Sequence, residues 1–268
     1  KRTGSKINYL KSKEDGTLDL NDYKKALNNK VKIVSITHAS NVFGTINPVE
    51  EMIDLANNKE IKVLVDACQS APHIKIDVKK MNCDFLAFSG HKMFGPTGVG
   101  VLYGKSDLLE EMDPYQTGGG IIETVTMEES TWTHSPYKFE PGSPMAAQAI
   151  ALSDAADYLD NCLANDTSNI EEYSKEKMSS INGINIYGNA KHRTPIISFN
   201  IEGIHSLDLA HFLDYEGITI RSGHHCCQPL MNALNISSCA RASFYFYNSK
   251  KDVDFLVDKI NKAIKILK

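Results

Sequence analysis

Lys92 closes the run Ser89-Gly90-His91-Lys92, directly after the apolar stretch Phe85–Ser89. A primary amine at the end of a buried strand, preceded by an imidazole and a hydroxyl, suits an aldehyde cofactor. The amine forms a Schiff base, while Ser89 and His91 reach a phosphate. Asp66 ends a second apolar run, KVLVD. A carboxylate there pairs with a pyridine nitrogen and keeps such a ring protonated. Gln69 follows in the next turn and reaches a ring hydroxyl. Taken singly, Lys92 is also a surface lysine in a Gly-rich turn and Asp66 a helix cap. Two strand ends carrying complementary groups, one βα unit apart, argue for the joint reading.

The six cysteines stand at 68, 83, 162, 226, 227 and 239, with no CxxC pair. That spacing argues against a zinc site and against a disulfide-stapled fold, and for free thiols in a reducing compartment. Most read as small buried hydrophobes. Cys226 and Cys227 differ, because Arg221-Ser222-Gly223-His224-His225 before them is too polar for a core. The remaining histidines, His38, His73, His134, His192, His205 and His211, read as structural or solvated. The Thr117–Gly120 stretch lacks a GxxxxGK[ST] pattern and reads as a loop.

The elements that position these groups alternate in type. Val31–Thr37, Lys62–Asp66, Phe85–Ser89 and Val99–Tyr103 read as strands. Pro48 opens a helix, and another runs from Pro144 to Leu159. Further on, Asp166–Ser180 reads as helix, Pro195–Ile201 as strand, Ser206–Glu216 as helix, and Ile218–Arg221 and Ala240–Phe246 as strands. Ser249 caps a final helix whose Val253, Leu256, Val257, Ile260, Ile264 and Leu267 share one stripe. Strands alternating with helices predict an α/β architecture with a mostly parallel sheet, and then a smaller α/β domain. The boundary falls near residue 160, around the polar stretch Asn165–Asn169.

Composition agrees with a globular fold and narrows the function. The chain has 268 residues, 42% hydrophobic and 23% charged, which excludes disorder. Its 29 basic and 33 acidic residues give a net charge of −4, so nothing calls for nucleic acid or an anionic membrane. No apolar run is long enough for a membrane-spanning helix. The sequence begins at Lys1 rather than Met, and its first residues read as mid-domain, the expectation for a fragment without its targeting segment.

The segments THASNVFGTINP, VDACQSAPH, FSGHKMFGPTGVGVLYG, FEPGSP, RSGHHCCQPL and CARASFYFYN, in order and spacing, resemble one family. It is the class V aminotransferase-fold enzymes, and within them the class II cysteine desulfurases of the sulfur-mobilisation (SUF) type. The chain is similar to their C-terminal two-thirds. Their upstream part carries a phosphate-cradling Gly/Thr turn and a histidine that stacks on the cofactor ring.

The resemblance implies a pyridoxal-phosphate-dependent transferase of fold type I. Residues 1–160 would be the remainder of the large cofactor domain and 161–268 the small domain. It implies pyridoxal 5'-phosphate held by Asp66, Gln69, Ser89, His91, Lys92, Asn41 and Ser143. Lys92, Cys226 and His91 would be catalytic, with no metal. L-cysteine would be held by Arg241, Asn41 and Arg221, since a guanidinium fork pairs both carboxylate oxygens. Cys226 as thiolate takes the substrate sulfur and leaves alanine and a persulfide. His224 and His225 would lower its pKa or position its loop. Cys227 departs from the alanine more usual in the family.

Selenocysteine lysis, other reactions of this scaffold, and an inactive fragment that only binds a partner stay open at this point. The resemblance further implies a homodimer and a sulfur-acceptor protein serving iron–sulfur cluster assembly. Lys- and Asn-rich loops suggest an AT-rich genome, with the protein in the cytoplasm or, in an apicomplexan parasite, the plastid.

Overall fold

The computed structural model describes residues 3–164, 166 and 169–268. The expected boundary at 165–169 therefore lies mostly outside the described residues, as does part of the helix expected from Asp166. In chain order the elements are α1 (Leu20–Ala26), β1 (Ile33–Thr37), α2 (Val49–Asn57), β2 (Lys62–Asp66), α3 (Val78–Met81), β3 (Phe85–Ser89) and β4 (Gly100–Gly104). There follow α4 (Ser106–Glu111), β5 (Ile122–Val125), β6 (Ser130–Trp132), α5 (Ala146–Ala164), α6 (Ile170–Ser179), β7 (Ile184–Tyr187) and β8 (Ile196–Ile201). The chain ends with α7 (Ser206–Tyr215), β9 (Arg221–Gly223), α8 (Gln228–Ala233), β10 (Cys239–Ser243) and α9 (Lys250–Leu267).

Two compact units emerge, neither continuous in sequence. One comprises Asn28–Ile36 and Val49–Asn161 and carries Lys92. The other comprises Lys1–Leu27, Thr37–Pro48 and Cys162–Lys268 and carries Cys226. We call them the lysine unit and the cysteine unit.

The lysine unit is built on a sheet of order β1-β2-β3-β4. Val63 and Val65 of β2 are fully buried, and so are Met52, Ile53 and Ala56 of α2. Strands β2 and β3 run parallel, with Asp66 opposite Ala87, whereas β4 runs antiparallel to β3. The sheet is mixed because the 90–99 link is too short for the crossover that a parallel neighbour needs. The buried Asp84 carboxylate accepts the Val63 amide at 2.8 Å and pairs with Lys105 at 3.2 Å, so its burial is compensated.

The cysteine unit holds an antiparallel sheet of order β7-β8-β10-β9. Ile197, Phe199 and Ile201 of β8 join Leu209 and Leu213 of α7 and Val253, Leu256 and Ile260 of α9 in one core. The Ser249 cap forms a capping box with Asp252, as the sequence pattern predicts. Strand β9 begins at Arg221 instead of Ile218. The Ile218 amide is taken by Leu213 O at the end of α7 and cannot join a ladder there. Strand β10 stops at Ser243 because Phe244 N turns to Pro195 O and Tyr245 N to the Asn248 side chain. No helix among the described residues is long and apolar enough to cross a membrane.

Candidate active site

The lysine unit gathers its polar groups at the carboxyl ends of β2 and β3. Asp66 Oδ1 accepts the Cys68 amide at 2.9 Å, which folds the chain back after the strand. Cys68 Sγ then lies 3.4 Å from Ser89 Oγ. Burial pushes the Cys68 thiol pKa up, opposed by the Ser89 contact, while the Asp66 carboxylate adds to the rise and the Lys92 ammonium opposes it. Cys68 thus senses three of the residues assigned to the cofactor, Asp66, Ser89 and Lys92. Sequence reasoning missed it; its signal was its place two residues after Asp66, where an Asx turn forms.

Lys92 and His91 are exposed in a short 3-10 turn, Gly90–Lys92, that follows β3 directly. Gly90 N donates to Val99 O at 3.0 Å, and Gly95 N donates to Gly90 O at 3.0 Å. A Cβ on Gly90 would stand 2.9 Å from Val99 O, and one on Gly95 2.9 Å from Gly90 O, both backbone atoms. Both glycines are therefore required for the loop to close this tightly. Gln69 is half-buried in the turn after Asp66. Ser143 is exposed in the bend before α5 and joins none of these contacts among the described residues.

The cysteine unit holds a second constellation. Cys226 is exposed, and Arg221 Nη2 lies 3.9 Å from its Sγ. Arg221, His224, His225, Cys226 and Gln228 line an open cavity of about 480 Å³. Arg241 stands directly opposite Arg221 across the β10–β9 ladder. Burial lowers the Arg241 pKa, and Arg221 lowers it further. Arg241 Nη1 donates to Asn41 O at 2.9 Å, while its buried Nε has no hydrogen-bond partner among the described residues. Like charges face to face with an unsatisfied donor are costly in a free sheet and favourable around a bound anion.

Asn41 Nδ2 donates to His225 O at 2.8 Å, so Asn41 braces this loop. His225 is buried, and burial holds its pKa down at about 4. It is neutral at ordinary pH. Of the two roles expected for it, burial disfavours a cation acting on the thiol and the hydrogen bonds favour positioning. His224 is exposed on the cavity wall. Cys227 caps α8 and packs against the Val42, Phe43, Met231 and Cys239 cluster. The Cys239 thiol is pushed up to about 11 by burial. Among these three neighbouring thiols, Cys226 is the one that faces solvent.

The model of the family described as aminotransferase class-V matches residues 1–256. The chain belongs to the class-V aminotransferase family. Class-V relatives of similar sequence include a probable cysteine desulfurase of Halalkalibacterium halodurans, 47% identical over 267 residues, covering 98% of this chain and 66% of the relative. A cysteine desulfurase of Haloferax volcanii is 43% identical, with 98% of this chain and 63% of the relative covered. The chain thus spans just under two thirds of these curated relatives. Among solved structures, the apo cysteine desulfurase from Thermococcus onnurineus superposes with a TM-score of 0.92 at 36% identity, over 98% of this chain and 67% of that one. The Escherichia coli cysteine desulfurase CsdA gives 0.87 at 32% identity, over 93% and 63%. The class-V fold is the α/β fold type I of pyridoxal-phosphate-dependent transferases.

Proposed function

We propose that this chain carries the reaction centre of a cysteine desulfurase of the SUF type, which removes sulfur from L-cysteine, leaves alanine, and keeps the sulfur as a persulfide on Cys226. The observation that carries this reading is the exposed Cys226 thiol beside Arg221, with Arg241 opposite on the next strand. A reaction on an amino acid that needed no protein nucleophile would leave that thiol without a purpose.

The donor set around Cys68 fits pyridoxal phosphate. Asp66 offers a carboxylate to the ring nitrogen, Ser89 a hydroxyl to the phosphate and Lys92 an amine to the aldehyde. Gln69 and His91 lie on the same two turns, and Ser143 and Asn41 complete the assignment. When bound, the cofactor supplies an electron sink for bond changes at the substrate α-carbon. Lys92 would hold the cofactor through its amine and would move the α-proton of the substrate. Arg241 takes the substrate carboxylate through its unsatisfied edge, and Arg221 adds charge beside it. Cys226 as thiolate attacks the substrate sulfur. The S–S bond forms as the C–S bond breaks, with the electron pair left on the carbon side and protonated there.

The same reading makes residues 1–160 part of the large cofactor domain and 161–268 the small domain. It also makes the parent protein a homodimer that hands sulfur to an acceptor protein for iron–sulfur cluster assembly. The setting proposed with it is the cytoplasm, or the plastid where the Lys- and Asn-rich loops mark an apicomplexan source.

The test is Cys226→Ser assayed with L-cysteine and pyridoxal phosphate in the full-length protein. The serine variant should bind L-cysteine and form no persulfide, because a hydroxyl is a far weaker nucleophile at neutral pH. Cys227→Ala should keep most activity. Turnover by the Cys226→Ser variant would overturn the reading.

A further inference from the structure

We infer that His225 is a positioning residue, whose imidazole holds the Cys226 loop in its working conformation by tying it to the strand that carries Arg241. The inference rests on the reading of Cys226 as the nucleophile. His225 and Cys226 both have left-handed backbones, with φ of 51° and 58°. Consecutive non-glycine residues in that region are strained and persist only where the surroundings enforce them.

The enforcing contacts can be named. Cys227 N donates to His224 O at 2.8 Å and closes the turn. Asn41 Nδ2 holds the His225 carbonyl at 2.8 Å. The imidazole supplies the remaining tie, with Nε2 2.9 Å from Cys239 O. Cys239 sits opposite Gly223 and two residues before Arg241, so this bond links the thiol loop to the carboxylate-binding strand.

The imidazole is suited to a fixed donor and unsuited to proton transfer. His225 is 2% exposed, and the carbonyl at Nε2 requires the proton on that nitrogen. Nδ1 is buried with no hydrogen-bond partner among the described residues, so a second proton placed on it would find no acceptor. The charged neighbours acting on the ring are Arg241 and Arg221, joined by His224, and none of them is a carboxylate. The ring therefore stays neutral and holds the loop. The left-handed pair in turn places Cys226 Sγ 3.9 Å from Arg221 Nη2 on the wall of the open cavity.

The experiment measures the iodoacetamide labelling rate of each cysteine in the full chain by peptide mass spectrometry, with half-buried Cys162 as internal reference. His225→Leu keeps the volume and removes the donor, with His225→Met as a second variant of the same kind should the first fail to fold. His225→Gln keeps an N–H at similar reach. Cys226 labelling should fall about fivefold in the Leu variant, the worth of one net hydrogen bond. It should return to within about twofold in the Gln variant. Arg221→Gln should produce a similar fall, and combining it with His225→Leu should add nothing, because both act on the same contact. Native labelling in the Leu and Met variants would overturn the inference. So would a fall shared equally by Cys162, or additive losses in the double variant. Turnover by Cys226→Ser would sink the desulfurase reading instead and leave the labelling result standing.

Discussion

Arg241 faces Arg221 across the β10–β9 ladder, two guanidiniums paired strand to strand where a sheet built for stability would place opposite charges. On the proposed reading the pair receives the substrate carboxylate, and its cost to the free protein is recovered on binding. Arg241→Ala should therefore raise KM for L-cysteine about 10–100-fold, the loss of a charge-assisted hydrogen bond of ~1.5–3 kcal/mol. Thermal stability should change by less than ~1 kcal/mol, because cross-strand repulsion leaves with the side chain. Steady-state kinetics beside a melting curve check both halves, and a large loss of stability at unchanged KM would contradict them.

Lys92 should be the lysine that reacts with pyridoxal phosphate. After incubation with the cofactor and reduction with borohydride, peptide mapping should find the label on Lys92 and not on Lys80 or Lys105. Lys92→Ala should remove it. A label that survives in that variant would displace the assignment.

The lysine turn should tolerate no methyl group at Gly90. A Cβ there meets a backbone oxygen, Val99 O, at 2.9 Å, and backbone cannot swing aside as a side-chain tip can. Gly90→Ala should lower affinity for pyridoxal phosphate at least about tenfold, equivalent to ~1.4 kcal/mol. Cys226 labelling should stay at the native rate. Spectroscopic titration with the cofactor reads the first, and mass spectrometry the second.

Acid should destabilise the fold through two imidazoles, His225 buried and His73 half-buried. Burial holds His225 and His73 at about 4, against an ordinary value of 6.5. The unfolded chain therefore takes up protons that the folded one refuses between those values. Stability is fully present above about pH 6.5 and is lost as pH falls towards 4. For His225 the gap between 6.5 and about 4 is worth on the order of 3 kcal/mol. Urea midpoints measured across this window should fall with pH, and His225→Gln should flatten part of the slope. A flat profile in the native chain would refute the assignment.

The strand ends that hold Asp66 and Lys92 were legible because β2 and β3 are short apolar runs, and both strands coincide with the sequence reading. The α9 stripe and its Ser249 cap were equally plain. Strand β9 was misplaced because Ile218 and Ile220 look like strand residues, yet Ile218 serves the end of α7. The short α1 and the polar β5–β6 hairpin passed unmarked, since neither carries a sustained apolar period. In the candidate site, residue types were visible and contacts were not. The bond from His225 to Cys239 O and the brace from Asn41 to His225 O join segments far apart in sequence, and no local pattern announces them.

Cys227 adjoins Cys226 but sits at the cap of α8 and packs into an apolar cluster. Joining the two sulfurs as a vicinal disulfide would mean pulling the Cys227 side chain out of that cluster. The outward thiol is thereby insulated from its immediate neighbour. On the proposed reading, sulfur carried at Cys226 would not leak inward as an internal crosslink with loss of sulfide, and would stay available to whatever thiol approaches from solvent. Packing at one side chain would then decide the direction in which the cargo travels.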